Sequence, residues 1–351
     1  MKKVITILLC SVVALGTLTA CSNNEKPTAS TTPTATATVQ PTANMAKTGL
    51  AIISSVAKST AAGAEDGMAQ ADSLAVAVLV GEDGKILACR IDSAQTQIKF
   101  SAEGKITTDR EADIKSKQEL GDEYGMKKAS EIGKEWYEQA DAFAAYVVGK
   151  TVEGVKGISV DSEGYPTDAD LTSSVTIHVT DFMAAVEKAV TNAKNLGASS
   201  TDKLGLAIST EIANSTDASA EKAGLAEAYS TYSVATTDAT GKITSCYIDA
   251  SMSDVNFDTK GVITSDIKAA PATKQELGYD YGMKKASKIG KEWFEQADAF
   301  AAYVTGKTGD EVKGIAVSDK GYAADADLIS SVTIHVGPLM AIVEKAVTNA
   351  K

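Results

Sequence analysis

The stretch KQELGDEYGMKKASEIGKEWYEQADAFAAYVVGKT, Lys117 to Thr151, returns as KQELGYDYGMKKASKIGKEWFEQADAFAAYVTGKT, Lys274 to Thr308, at an offset of 157 residues. Outward from it the likeness continues. DADLTSSVTIHV (Asp168–Val179) returns as DADLISSVTIHV (Asp325–Val336), and KAVTNAK closes both copies, at Lys188–Lys194 and Lys345–Lys351. Identity kept over such spans at one offset marks a duplicated structural unit. The chain therefore reads as two homologous tandem domains, 47-194 and 204-351, with the polar stretch 195-203 as connector. Each is expected to fold independently.

Within one copy the pattern is α+β, a small antiparallel sheet packed with helices. Ser73–Val80 and Lys85–Asp92 flank the turn cluster Gly81-Glu82-Asp83-Gly84 and read as a β-hairpin, with Gln95–Phe100 as a third strand. From Tyr124 to Val148 the period becomes helical: Met126, Ala129, Ile132, Trp136, Ala140, Phe143 and Val147 share one stripe, and Gly149 stands where a C-cap belongs. Ser173–Val179 alternates like a strand, and Thr180-Asp181 opens a last helix through Val190.

The first residues carry a different signal. Lys2 and Lys3 precede the apolar run Val4–Val13, too short to span a bilayer, so 1-20 reads as an export signal peptide. It runs into Leu18-Thr19-Ala20-Cys21, which resembles the box in which bacterial lipoprotein signals are cleaved immediately before a cysteine that receives lipid, here Cys21. From 21 to 46 the chain is rich in Thr, Ala, Pro and Ser without apolar periodicity; it reads as a tether to a cell membrane, with the globular part on the extracellular face.

Composition narrows the function classes. With 34 Lys and Arg against 46 Asp and Glu, and a formal net charge of -12, the chain lacks the basic surface that a nucleic acid requires. Two His leave no His-rich metal site to expect, and four Cys without a CxxC pair leave neither a disulfide framework nor a haem or iron–sulfur motif. Cys89 and Cys246, at equivalent places in the two copies, read as small buried hydrophobes. No GxSxG elbow or HExxH is present.

One repeated motif carries chemistry: Asp170-Leu171-Thr172-Ser173-Ser174-Val175-Thr176 and Asp327-Leu328-Ile329-Ser330-Ser331-Val332-Thr333. It resembles the covalent flavin-attachment motif of FMN-binding domains, in which an FMN transferase (ApbE type) joins the FMN phosphate to the last threonine. That resemblance implies covalent FMN at Thr176 and Thr333, with Asp170, Ser173 and Ser174, and Asp327, Ser330 and Ser331, as cofactor-binding residues around them. The chain departs from the common motif, which has Gly and Ala in place of Ser174 and Val175, and Thr or Ser in place of His178. SSVTIHV is also an ordinary amphipathic strand, in which Thr176 and His178 face away from Val175, Ile177 and Val179. A helix starting just beyond would bring its positive end near a phosphate.

His178 and His335, the only histidines, read either as donors near that phosphate or as satisfied surface residues. Tyr124, Trp136, Tyr281 and Trp293 are candidate neighbours of a flavin ring, although helical spacing fits core packing for both Trp. Lys127, Lys128, Lys284 and Lys285 fit either a phosphate or a solvated face.

Taken with the KQELGxxYGMKKASxIGKEWxEQ block, the duplication and the lipoprotein signal, the chain resembles the flavinylated extracellular electron-transfer lipoproteins of Gram-positive bacteria (PplA type). The resemblance implies a carrier with two FMN groups that takes electrons from a quinone-linked membrane donor and passes them to acceptors such as ferric iron, a ferric reductase activity rather than a conventional enzyme. The alternative is a cofactor-free repeat lipoprotein that binds a partner protein or small solute, for which an acidic surface and a Pro/Thr tether are equally ordinary.

Overall fold

A computed structural model describes residues 45–351. The signal peptide, Cys21 and nearly all of the tether lie outside the described residues. The first copy runs β1 (Ala46–Ser55), β2 (Gly67–Gly81), β3 (Ile86–Phe100), then helices α1 (Lys117–Leu120), α2 (Trp136–Tyr146), α3 (Val152–Lys156), α4 (Ala169–Thr172) and α5 (Thr180–Thr191). The second repeats the order: β4 (Lys203–Glu211), β5 (Gly224–Thr237), β6 (Ile243–Phe257), α6 (Lys274–Leu277), α7 (Trp293–Val304), α8 (Gly309–Lys313), α9 (Ala326–Ile329) and α10 (Gly337–Thr348). Each copy is thus a three-stranded antiparallel meander with helices after it, the α+β class expected.

The central strand shows why the sheets stack. In SLAVAVLV of β2, Val76, Val78 and Val80 enter a cluster with α2 and α5, while Ala75, Ala77 and Leu79 point the other way. A strand apolar on both faces must be covered on both. The second cover is the sheet of the other copy: Leu50, Ile52 and Leu79 pack with Leu204, Ile208 and Tyr232, and Ile98 and Phe100 pack with Val255 and Phe257. The equivalent Phe100 and Phe257 stack on each other, with ring centroids 4.2 Å apart and planes within 6°. The order of layers is helices, sheet, sheet, helices, with a pseudo-twofold between the copies. Two ion pairs obey the same symmetry, Lys188 to Glu276 at 2.5 Å and Lys345 to Glu119 at 2.6 Å. The connector is polar, yet the copies share two apolar clusters, so the expectation that each folds alone is revised.

Three local readings are also corrected. Gln95–Phe100 is the end of β3, still paired with Gly67–Asp72 of β2, and the third strand is β1. The long helix expected from Tyr124 begins only at Trp136. Gly125 and Gly133 turn the chain with φ of 78° and 62°, and the Glu135 carboxylate accepts Met126 N–H and Lys127 N–H at 2.8 and 2.9 Å, closing a compact loop ahead of α2. Ser173–Val179 forms no strand: it links α4 to α5. Its alternation survives as burial of Val175 and Val179 in the core, without a ladder. The last helix does run from Thr180, although no side chain caps it, and Pro338 takes the first turn of its counterpart α10 as expected.

Where the sheets meet, Asp92 and Asp249 are buried. Burial pushes Asp92 from 3.8 up to about 6 and Asp249 up to about 7, against the hydrogen bonds that each carboxylate accepts from Gln118 N–H and Gln275 N–H. A raised carboxyl pKa favours the fold below its unfolded value and loses that contribution as pH rises through 6 to 7. Asp249→Asn keeps an acceptor oxygen and removes the charge. It should melt higher than the unsubstituted protein at pH 8, by on the order of 1 kcal/mol or more, with the gap closing towards pH 4. Thermal melts across that range read this directly, and a gap independent of pH would contradict it.

Candidate functional site

The two repeated loops meet beside α2. One is 126-134, folded back by Glu135; the other is 173-179, between α4 and α5. Gln139 joins them. It is fully buried, although it sits among Trp136, Ala140 and Phe143 on the apolar face of α2. Its Nε2 donates to Ser130 Oγ at 3.1 Å and Lys134 O at 3.3 Å, and its Oε1 accepts Thr176 N–H at 2.8 Å and the Thr176 hydroxyl at 3.3 Å. In the second copy Gln296 does the same, with Ser287, Lys291 and Thr333, the last pair of bonds at 2.7 and 3.2 Å. A buried amide in an apolar stripe must find partners for both ends, and here those partners fix the candidate threonine.

Thr176 is half-buried on a cleft of about 700 Å³, between loop 126-134 on one side and Tyr165, Pro166 and Thr172 on the other. His178 faces a second cleft of about 560 Å³ on the far side of Ile177, which borders both. The His178 ring packs on Tyr165 at 4.0 Å and its Nδ1 lies 2.5 Å from Glu163 O; His335 packs on Tyr322 at 4.2 Å. Both histidines are exposed.

The other motif residues divide. Ser174 and Ser331 turn inward, their hydroxyls donating to Leu171 O at 3.1 Å and Leu328 O at 3.2 Å. Asp170, Asp327, Ser173 and Ser330 stand exposed around α4 and α9, and neither Asp170 nor Ser173 lines the first-copy cleft. The side chains of Asp168 and Asp325 cap those short helices, and each carboxylate also accepts from a tyrosine, Tyr146 and Tyr303. Trp136 and Trp293 are core residues, 7% and 5% exposed. Lys127, Lys128, Lys284 and Lys285 are exposed on the loops that border the threonines. Cys89 and Cys246 are buried in separate clusters, and burial pushes both thiols up to about 12, so they are small apolar residues in effect.

Chemically the threonine is not set up as a self-activating nucleophile. Among the described residues the Thr176 hydroxyl has an amide oxygen as its partner and no base hydrogen-bonded to it; His178 is engaged with Glu163 O instead. Phosphoester formation at that hydroxyl would need a base from elsewhere and a phosphoanhydride donor, whose P–O–P bond breaks and whose other phosphate group leaves as the threonine O–P bond forms. Removing the pin should show first at this position: Gln139→Leu strands the Ser130 Oγ and Lys134 O acceptors of one loop and the Thr176 N–H donor of the other, at about 1–3 kcal/mol for each group left buried without a partner. Melting temperature should fall, and modification of Thr176 should drop while Thr333, pinned by Gln296, continues as before. Equal loss at both threonines in a peptide map would contradict a local role.

No protein-family model matches the chain, and no curated protein and no solved structure matches it.

Proposed function

We propose that the chain is a lipid-anchored extracellular electron carrier holding two FMN groups as phosphoesters of Thr176 and Thr333. One observation carries this reading. The same threonine, in the same repeated motif, is held by the same buried glutamine in both copies, and Thr176 lies at the edge of a cleft. An acceptor hydroxyl held still and half-exposed suits a modifying transferase, and lysine-bearing loops beside it suit a phosphate on a chain whose net charge is -12. The attached flavin would supply the one- and two-electron chemistry. The protein's part is to hold the threonine through Gln139 or Gln296, keep cations near the phosphate, and carry the pair of sites on one rigid double sheet.

Anchoring through Cys21, electrons from a quinone-linked membrane donor and delivery to acceptors such as ferric iron complete the proposal, and they follow from the sequence resemblance. Absorbance tests the cofactor: protein made with an FMN transferase should be yellow, and the color should stay with the chain after denaturation and gel filtration. A colorless product beside a modified control acceptor returns the chain to the partner-binding class.

A further inference from the structure

The copies differ at several positions around one recess near the candidate threonines, and one of these exchanges changes how the recess is filled. In the first, the 560 Å³ recess lies between the face of the three-stranded sheet, α1, α2 and the start of α5, separated by Ile177 from the cleft that Thr176 lines. Lys117 is half-buried at its wall, its ammonium 4.7 Å from the Tyr124 ring and 5.1 Å from Trp136. The strand position facing these groups is Asp72, held by Lys58 at 2.8 Å. In the second copy the equivalent strand position is Tyr229. Its hydroxyl accepts from Lys274 Nζ at 3.0 Å, and that ammonium is 4.5, 4.7 and 5.2 Å from Tyr229, Tyr281 and Trp293. Lys274 is only 5% exposed there, and burial lowers its pKa to about 8. The Tyr229 side chain thus closes over Lys274, whereas the equivalent Lys117 stays half-buried at the wall of a recess; the tyrosine and tryptophan beside them are buried to a similar degree in both copies.

We propose that the first-copy recess, beside Lys117, Tyr124 and Trp136, takes a planar aromatic ring, the isoalloxazine ring of a flavin held at Thr176, whereas in the second copy the protein's own Tyr229 fills that place and keeps the ring outside. This deepens the reading given above and rests on it for the ligand. The physical case is that aromatic faces and an ammonium at one wall, with the polar Asp72, Lys58 and Gln95 opposite, match a flat ring with polar edges. Where Tyr229 supplies that flat ring, the lysine is caged and buried. The two flavins are then inequivalent, one inserted and one exposed.

The chain has two tryptophans, one in each copy, so each recess carries its own reporter. Lumiflavin, a flavin ring without ribityl chain or phosphate, is titrated into protein made without the transferase. In Trp293→Phe, emission from Trp136 should be quenched saturably; in Trp136→Phe, emission from Trp293 should show no saturable quenching. Asp72→Tyr should weaken the first response at least tenfold, and Tyr229→Asp should create the second. The same two exchanges in the protein with both tryptophans should move the total quenching in opposite directions, which keeps the test valid if a tryptophan variant fails to fold. Equal quenching of both reporters, no saturable quenching of Trp136, or indifference to Asp72→Tyr overturns the proposal. FMN mapped to Thr176 without quenching of Trp136 sinks the ring site alone; quenching of Trp136 together with a Thr176 that stays unmodified in protein made with the transferase sinks the attachment alone.

Discussion

Residues 47-194 expressed alone should not behave as a stable monomer. Cutting the chain at the connector uncovers the sheet face that carries Leu50, Ile52, Leu79, Ile98 and Phe100, all at most 3% exposed in the whole chain. A contiguous apolar face of this kind is covered by self-association or leaves a loosely packed, dye-binding state. The half-chain should therefore run as a dimer or larger species in gel filtration, and mixing with residues 204-351 should restore a one-to-one complex. Within the full chain, Phe100→Ala removes half of the central aromatic stack and should cost about 3–5 kcal/mol, the usual range for emptying a buried phenylalanine site. A monomeric half-chain with a sharp melt would contradict the shared core.

The double change Thr176→Ala, Thr333→Ala should abolish ferric reduction by whole cells while leaving the protein folded and at its normal level. Each substitution deletes a hydroxyl whose only bond among the described residues is a weak one of 3.3 or 3.2 Å to a glutamine; the stronger bond of that glutamine is to the backbone N–H, which alanine retains. The stability cost is accordingly small, about 1 kcal/mol per site. Activity, by contrast, has no other carrier in the proposal, since Cys89 and Cys246 are buried, unpaired and in separate clusters. Single changes separate two arrangements: a serial relay loses nearly everything from either, and parallel carriers lose part. Undiminished iron reduction by the double variant at matched protein level would remove the flavin carrier.

Much of this architecture was legible before any coordinates. The duplication, the hairpin around Gly81–Gly84 and the helix from Thr180 all rest on patterns whose cause is local, a turn that needs glycine or a stripe at helical spacing. What failed were inferences about partners. The 126-134 loop keeps a helical apolar stripe because Met126 and Ile132 border a cleft, while Glu135 pulls the backbone out of helix through bonds that periodicity cannot reveal. SSVTIHV alternates because Val175 and Val179 reach into the core, and no neighbouring strand is there to pair with. The shared core was visible in principle. A strand reading SLAVAVLV is apolar on both faces, and one set of helices covers only one of them. Gln139 also had a signal, a polar residue repeated within the buried stripe of α2, whereas the exchange of Asp72 for Tyr229 acquires meaning only when Lys274 is seen beneath the phenol.

Peptide mass mapping of the protein produced with and without an FMN transferase tests the central claim most directly. The account predicts that only the transferase-treated protein gains two FMN phosphoesters, one on the peptide containing Thr176 and one on that containing Thr333, and that Thr176→Ala and Thr333→Ala each remove one. An unmodified chain beside a fully modified control acceptor, or flavin on other hydroxyls alone, would contradict it.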